Sequence, residues 1–259
     1  MVKSTKVEDN NHLTPKNQGE TRWGLAKYRP VTLFSLRMSQ ATSSGGKTLL
    51  VPTPYSYKIA LVDAAIRAGG LGLAKEVFNW IKGREVRFCP PEKAVVNQTF
   101  IKLLRLARAS GDNDKNSGPY QRTIGYREFC HFNGELIVAI AIGGLTDAQI
   151  DELGWVAAHI NYLGKRGSFM QFLSWQTSDF LTDNFTCPAG EIPSKISCYG
   201  VGEFLDDLGG LDEEDLFERI NVYSEKGLVL NKHRILVHHL IPYQITRSSK
   251  GYTAYERRE

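Results

Sequence analysis

The sequence predicts an α+β fold. Two helical regions and four strands form a frame that carries one long β-hairpin, and a smaller strand-rich part follows residue 176. Three observations lead there. Helical stretches with apolar stripes alternate with short apolar runs bounded by glycines. One run made of turn residues is flanked by two β-branched, aromatic and basic segments. After residue 176, helical periodicity gives way to short strand-like runs.

Taken in order, residues 1–27 are polar, mixed in charge and rich in Asn, and read as a flexible arm. The run "VTLFSLRM" (31–38) reads as strand one. "YSYKIALVDAAIRAGG" (55–70) reads as a helix, with Ile59, Val62 and Ile66 on one stripe and a glycine pair to stop it. "GLAKEVFNWIKG" (72–83) reads as a second, short helix with Val77, Trp80 and Ile81 inward. "VVNQTFIKLLRLAR" and "YQRTIGYREFCHF" read best as the arms of a hairpin over about 95–132, although "TFIKLLRLAR" also suits a helix. "GELIVAIAIGG" reads as a buried strand. "LTDAQIDELGWVAAHINYL" (145–163) reads as a helix capped by Thr146, and "KRGSFMQFLSW" as another strand.

That order suits a ferredoxin-like, split β-α-β unit over 28–176, the frame also used by RNA-recognition folds. Residues 177–259 form the C-terminal strand-rich subdomain. It has an acidic helix in "LDEEDLFERI" (211–220) and strands in "INVYSE", "RILVHHLIPYQI" and "GYTAYE".

One motif needs a separate decision. "ATSSGGKT" (41–48) fits a relaxed phosphate-loop pattern. Such a loop requires a helix starting at its Lys-Thr, so that amide N–H groups face the phosphates. Here "TLLVPTPY" follows, and Pro52 and Pro54 stand where the first helical turns would run. Nucleotide hydrolysis is therefore not the reading. What remains is a polar glycine turn that carries Lys47.

Residues 1–130 hold 21 Lys+Arg against 10 Asp+Glu, a balance of +11, while residues 131–259 stand at −7. A basic half beside an acidic half suggests a polyanion for the first and a basic protein surface for the second. No run approaches the about 20 apolar residues of a membrane span, and the N-terminus lacks the apolar core of a signal peptide. The expectation is a cytoplasmic protein with no membrane partner.

Catalytic and metal chemistry find little support. Cys89, Cys130, Cys187 and Cys198 match no zinc spacing and read as buried free thiols. His238 and His239 are neighbours in a strand and point to opposite faces. No serine lies in a nucleophile elbow. The acidic residues Asp206, Asp207, Asp212, Glu213, Glu214 and Asp215 are local and read as a solvated or protein-docking face rather than a two-metal site. No cofactor and no metal are expected.

Binding chemistry is denser. Arg105, Arg108, Lys115, Arg122 and Arg127 fall on the hairpin, interleaved with Tyr120, Tyr126 and Phe129. Cations track a phosphate backbone and aromatic rings receive unstacked bases. Arg37, Lys47, Lys58, Lys165 and Arg166 fall at strand and helix ends that such a fold can bring together. Residue types alone do not separate RNA from DNA.

The segments "PTPYSYKIALVDAA", "IGYREFCHFNGELIVAI" and "HINYLGKRGSF", in this order after a strand, resemble the fifth-named Cas protein family, a RAMP-type subunit of type I CRISPR Cascade complexes. The resemblance covers about residues 28–176. It implies a non-catalytic subunit that caps the 5′ handle of the CRISPR RNA. It implies backbone RAMP subunits and the large PAM-reading subunit as partners, with target DNA near the PAM-proximal end. The hairpin would be the family's thumb, over about 95–132. Arg105, Arg108, Arg122, Tyr126 and Arg127 would lie on or near it, and Lys58, Lys165 and Arg166 would be handle contacts. Some members process the CRISPR RNA precursor themselves, and His131 with Tyr126 or Lys165 would be the acid–base candidates here. A generic RNA-recognition module is the other alternative.

Overall fold

Strand one is not where the apolar run places it. The computed structural model describes residues 22–41, 45–106, 120–191 and 200–258. Its first strand, β1, is Trp23–Pro30. Residues 31–38 run irregularly, with Phe34 bridging Cys130 and Arg37 bridging Thr48. β1 contains Gly, Lys and Arg, a poor local strand signal. It is paired on both sides and buries Trp23, Leu25, Ala26 and Tyr28, and that burial overrides propensity. Residues 23–27, assigned by sequence to the arm, thus belong to the sheet.

Next come β2 (Gly45–Gly46) and α1 (Pro54–Ile81). The prolines do not interrupt this helix; they start it. Thr53 is the N-cap, its hydroxyl accepts from Ser56 N–H at 3.1 Å, and Ser56 Oγ accepts from Thr53 N–H at 2.9 Å. Pro54 occupies the first turn, where a missing N–H costs nothing. The two expected helices are both present within this span: Gly70, with φ +82° and ψ −174°, is not helical and separates them, and Lys58 in the first reaches the carbonyl of Lys82 past the end of the second.

Then follow β3 (Val86–Cys89), β4 (Lys93–Leu106), β5 (Tyr120–Asn133), β6 (Leu136–Ala141), α2 (Asp147–Ala158) and β7 (Met170–Ser178). Thr146 caps α2 in a reciprocal pair with Gln149. The helix stops at Ala158, short of residue 163, because the chain leaves it to bridge Tyr162 to Phe169. The frame's sheet has the order β3-β6-β1-β7, and its neighbours pair antiparallel.

The remaining elements are β8 (Cys187–Pro188), β9 (Val201–Leu208), α3 (Leu216–Arg219), β10 (Arg234–Ile241), β11 (Tyr243–Ser249) and β12 (Tyr252–Arg257). β9 has no counterpart in the sequence reading. "INVYSE" is no strand, and its Val222 and Tyr223 project into solvent. The acidic helix shrinks to one turn. β12 pairs with β4, so the C-terminal residues complete the sheet of order β11-β12-β4-β5-β2 that carries the hairpin. β8, β10 and β9 form a third sheet. One hydrophobic core joins Tyr57, Leu61, Val138 and Leu153 of the frame to Leu205, Leu216, Ile241 and Tyr243.

Charge is also buried. Lys58 is 1% exposed, and its Nζ lies 2.7 Å from Asp207 Oδ1 and donates to Lys82 O at 3.1 Å. Burial pushes the Asp207 carboxyl up, and Lys58 pulls it back down. Asp206 is buried against Arg234. Glu213 pairs with Lys232 and His233, and Asp215 with Arg219 and Lys226. Four carboxylates of the expected docking face are therefore paired within the chain, Asp206 buried and Asp207, Glu213 and Asp215 partly exposed. Cys89, Cys130 and Cys187 are buried free thiols, and Cys198 lies outside the described residues. Among the described residues no helix is long and apolar enough to cross a membrane.

Candidate nucleic-acid interface

The hairpin arms pair continuously from Lys93↔Asn133 to Leu106↔Tyr120. β12 covers β4 only as far as Asn97. Beyond that point the described arms pair with each other, with β2 alongside Tyr126 and Arg127. In an antiparallel pair, opposed residues share a face and alternate residues return to it. The first face therefore carries Gln98, Phe100, Lys102 and Leu104 on β4, opposite Glu128, Tyr126, Ile124 and Arg122 on β5. Phe100, Leu104, Ile124 and Tyr126 are each more than half exposed. The Phe100 and Tyr126 rings lie 4.2 Å apart at 45°. The second face carries Thr99, Ile101 and Leu103 opposite Arg127, Gly125 and Thr123, with Phe129 further down β5.

This alternation separates residues that look clustered in sequence. Tyr126 and Arg127 face opposite ways. Arg127 lies over Gly46, where an added Cβ would come 2.7 Å from its Cδ, and its Nη1 donates to Tyr126 O at 2.8 Å. Arg122 is exposed on the first face, with Lys102 two pairs away. The side chain of Arg105, and all of Arg108 and Lys115, lie outside the described residues.

At the hairpin's foot the glycine turn meets β5. Residues 36–38 and 47–49 pair with each other: Met38 N–H donates to Lys47 O at 3.0 Å, and Leu49 N–H to Leu36 O at 2.8 Å. Arg37 and Lys47 are exposed on this ladder. Thr48 N–H is taken by Glu128 Oε2 at 3.0 Å. The helix starts only at Pro54, so no helical N-terminus faces the turn. A groove of about 580 Å³ opens between Gln40, Gly46, Lys47, Gln98, Tyr126 and Glu128.

Lys165 and Arg166 stand exposed on the loop between α2 and β7. Gly164 at φ +85° and Gly167 at φ +103° shape that loop. It is fastened to residues 31–35: Lys165 N–H donates to Ser35 O at 2.9 Å, Ser35 N–H to Ser168 Oγ at 3.0 Å, and Thr32 Oγ1 to Gly167 O at 2.7 Å. A second groove, of about 440 Å³, lies between Leu33, Ser35, Phe129, Lys165 and Arg166. Segment 31–36 thus forms the floor joining the basic loop to the foot of the hairpin.

Lys58 is not part of either groove. Its stem and ammonium are buried against Asp207, out of reach of a surface phosphate. The acid–base pair His131 and Tyr126 does not converge, since the two are five residues apart on β5 and project from opposite faces. Lys47, Tyr126, Arg127, Lys165 and Arg166 do line grooves at the hairpin's foot. Sequence reasoning missed Gln98, Phe100 and Lys102. Alternate-residue spacing would have found them had "TFIKLLRLAR" been read as a strand alone.

No protein-family model matches the chain. A CRISPR-associated Cas5 protein of Archaeoglobus fulgidus is 26% identical over 140 residues, which is 54% of this chain. The chain spans little more than half of that curated relative, 58% of its length. Among solved structures, a CRISPR protein from Archaeoglobus fulgidus superposes with a TM-score of 0.44 at 13% identity, covering 92% of both chains. A chain of a type III-B Cmr-beta complex bound to cognate target RNA gives 0.39 at 11% identity, covering 61% of each. A chain of a CRISPR RNA-guided surveillance complex gives 0.38 at 13% identity, covering 84% of this chain and 87% of that one. The chain is thus similar in sequence to a Cas5 protein, the family that its motifs resemble.

Proposed function

We propose, from this likeness to Cas5 and from the hairpin's chemistry, that the chain is a non-catalytic, guide-RNA-binding subunit of a CRISPR ribonucleoprotein complex. In the fuller reading it caps the 5′ handle of the CRISPR RNA in a type I Cascade. It contacts backbone RAMP subunits and the large PAM-reading subunit, and it supports target DNA binding from the cytoplasm. The β1-α1-β3-β6-α2-β7 path with sheet order β3-β6-β1-β7 supports a ferredoxin-like RAMP frame, with β4 and β5 as its thumb.

The observation that carries the reading is the pair of cation-lined grooves at the hairpin's foot, each with an aromatic side chain: Lys47 with Tyr126, and Lys165 and Arg166 with Phe129. Aromatic and cationic groups side by side suit an unstacked single strand.

The test is co-expression with the other complex subunits and a guide RNA, followed by recovery of RNA with the tagged chain. The triple variant Arg122→Glu, Lys165→Glu, Arg166→Glu should lose most of the guide RNA. Wild-type recovery of RNA by this variant would sink the reading. Incubating the chain with repeat RNA in EDTA tests the non-catalytic part, since a discrete product lost in His131→Ala would make it a processing enzyme.

A further inference from the structure

We propose that the groove beside the glycine turn holds one unstacked nucleotide of the RNA and prefers a base with an exocyclic amino group over uracil. This rests on the RNA-binding reading above and adds a base preference to it.

The groove has three parts. Its aromatic wall is Tyr126, half exposed and backed by Phe100 at 4.2 Å, so the ring is held before a base arrives. Its cations are Lys47, exposed on the strand that leaves the glycine turn, and Arg127, which also lines the groove. Gly46 neighbours Arg127 in the β2–β5 register, so Lys47, one residue on, belongs to the Tyr126 side. A phosphate would meet Lys47 as a point charge.

The third part is an oriented amide. Gln98 Nε2 donates to Glu128 Oε1 at 3.3 Å, and Glu128 Oε2 accepts from Thr48 N–H at 3.0 Å. Glu128 is thus held from two sides, and it is an acceptor only. It turns the amide nitrogen of Gln98 towards itself and leaves the amide oxygen for the groove. With the carboxylate close by, the edge of the groove formed by Gln98 and Glu128 is rich in acceptors. An amino group on adenine, cytosine or guanine fits such an edge. Uracil presents two carbonyl oxygens flanking a single N–H, and those oxygens would face acceptors. Gln98 and Glu128 are opposed across the hairpin two residues below Phe100 and Tyr126, so the amide and the ring serve one base.

The experiment uses the full chain and labelled ten-nucleotide oligo(C) and oligo(U) RNAs, pyrimidines that differ in carrying an amino or a carbonyl group at the same ring position, in fluorescence anisotropy, with Gln98→Leu separating the amide's share from any difference in stacking. Wild type should bind oligo(U) about fivefold more weakly than oligo(C), the effect of one net hydrogen bond. Gln98→Leu, at an exposed position, should erase that gap by weakening oligo(C) alone. Tyr126→Ala should weaken both RNAs. Equal wild-type binding of the two RNAs, or a gap that survives Gln98→Leu, would overturn the nucleotide pocket while leaving RNA binding intact. Failure of wild type to bind either RNA would remove both readings.

Discussion

Lys58 Nζ sits 2.7 Å from Asp207 Oδ1, fastening the second turn of α1 to the end of β9. Lys58 also donates to the carbonyl of Lys82, just past the end of the second helix, which begins after Gly70. The two helices that meet at Gly70 are thereby held together by one ammonium. A residue that sequence alone offers as a phosphate contact is instead a buried brace between the frame and the C-terminal sheet.

Removing one partner of such a pair strands a charge. Asp207→Asn should cost about 3 kcal/mol of unfolding free energy, in the range for broken buried pairs. Lys58→Met, which keeps most of the buried stem, should cost less than Lys58→Ala. Guanidinium unfolding followed by circular dichroism measures all three. RNA affinity of the folded variants should stay at the wild-type level; a selective loss of RNA binding by Lys58→Met would return Lys58 to the interface.

A buried carboxyl sets a pH dependence. Glu203 is 4% exposed and accepts from Leu50 N–H at 3.1 Å. Burial, with Glu128 adding to it, pushes its pKa from 4.5 up to about 8. Between those values the folded chain holds a proton that the unfolded chain has lost. Its contribution is therefore fully present below 4.5 and is lost as pH rises through about 8. The groups facing it are Glu128 and Cys130 of β5, Tyr255 of β12 and His239 opposite it on β10. Glu203→Gln keeps an acceptor for Leu50. Unfolding at pH 5, 7 and 9 should show wild type losing stability relative to this variant; a constant difference across the series would contradict the assignment.

Trp175 is clasped by two glycines. An added Cβ would meet its ring at 2.4 Å from Gly24 and at 2.5 Å from Gly154. Gly→Ala inside a helix ordinarily stabilises by about 1 kcal/mol. At Gly154, within α2, overpacking should reverse the sign and cost about 2 kcal/mol. Thermal unfolding of Gly154→Ala decides this, and a raised Tm would show that the ring has room to move.

The phosphate term should follow salt. Lys47→Ala should weaken RNA binding a few-fold at every base composition. It should reduce the slope of log affinity against log salt by about 0.7, the share of one single-strand phosphate contact. A titration between 50 and 300 mM salt reads the slope. An unchanged slope would mean that Lys47 does not meet a phosphate.

Much of the local structure is legible in the sequence. Thr146 and the run after it declare α2, Pro52 and Pro54 rule out a helix at Lys47, and the β-branched, aromatic segments declare the arms β4 and β5. These signals are local, because caps, prolines and turns act within a few residues of themselves. Strand one was not legible, because Trp23–Pro30 earns its place from partners more than 100 residues away at Leu136–Ala141 and Met170–Ser178. Nor was β9, whose carboxylates look like a solvated face until Lys58 and Arg234 are seen against them.

Local signals along the chain establish a basic, aromatic hairpin on an α+β frame and exclude a nucleotide-hydrolysis loop at the glycine turn. Which cations stay at the surface and which are buried is settled by the packed fold. The packed fold also points Tyr126 and Arg127, adjacent in sequence, to opposite faces of the hairpin. The physical reason is that burial and strand pairing are long-range. A lysine's role depends on which carboxylate folds against it, and a strand's two faces differ only once its neighbours are in place.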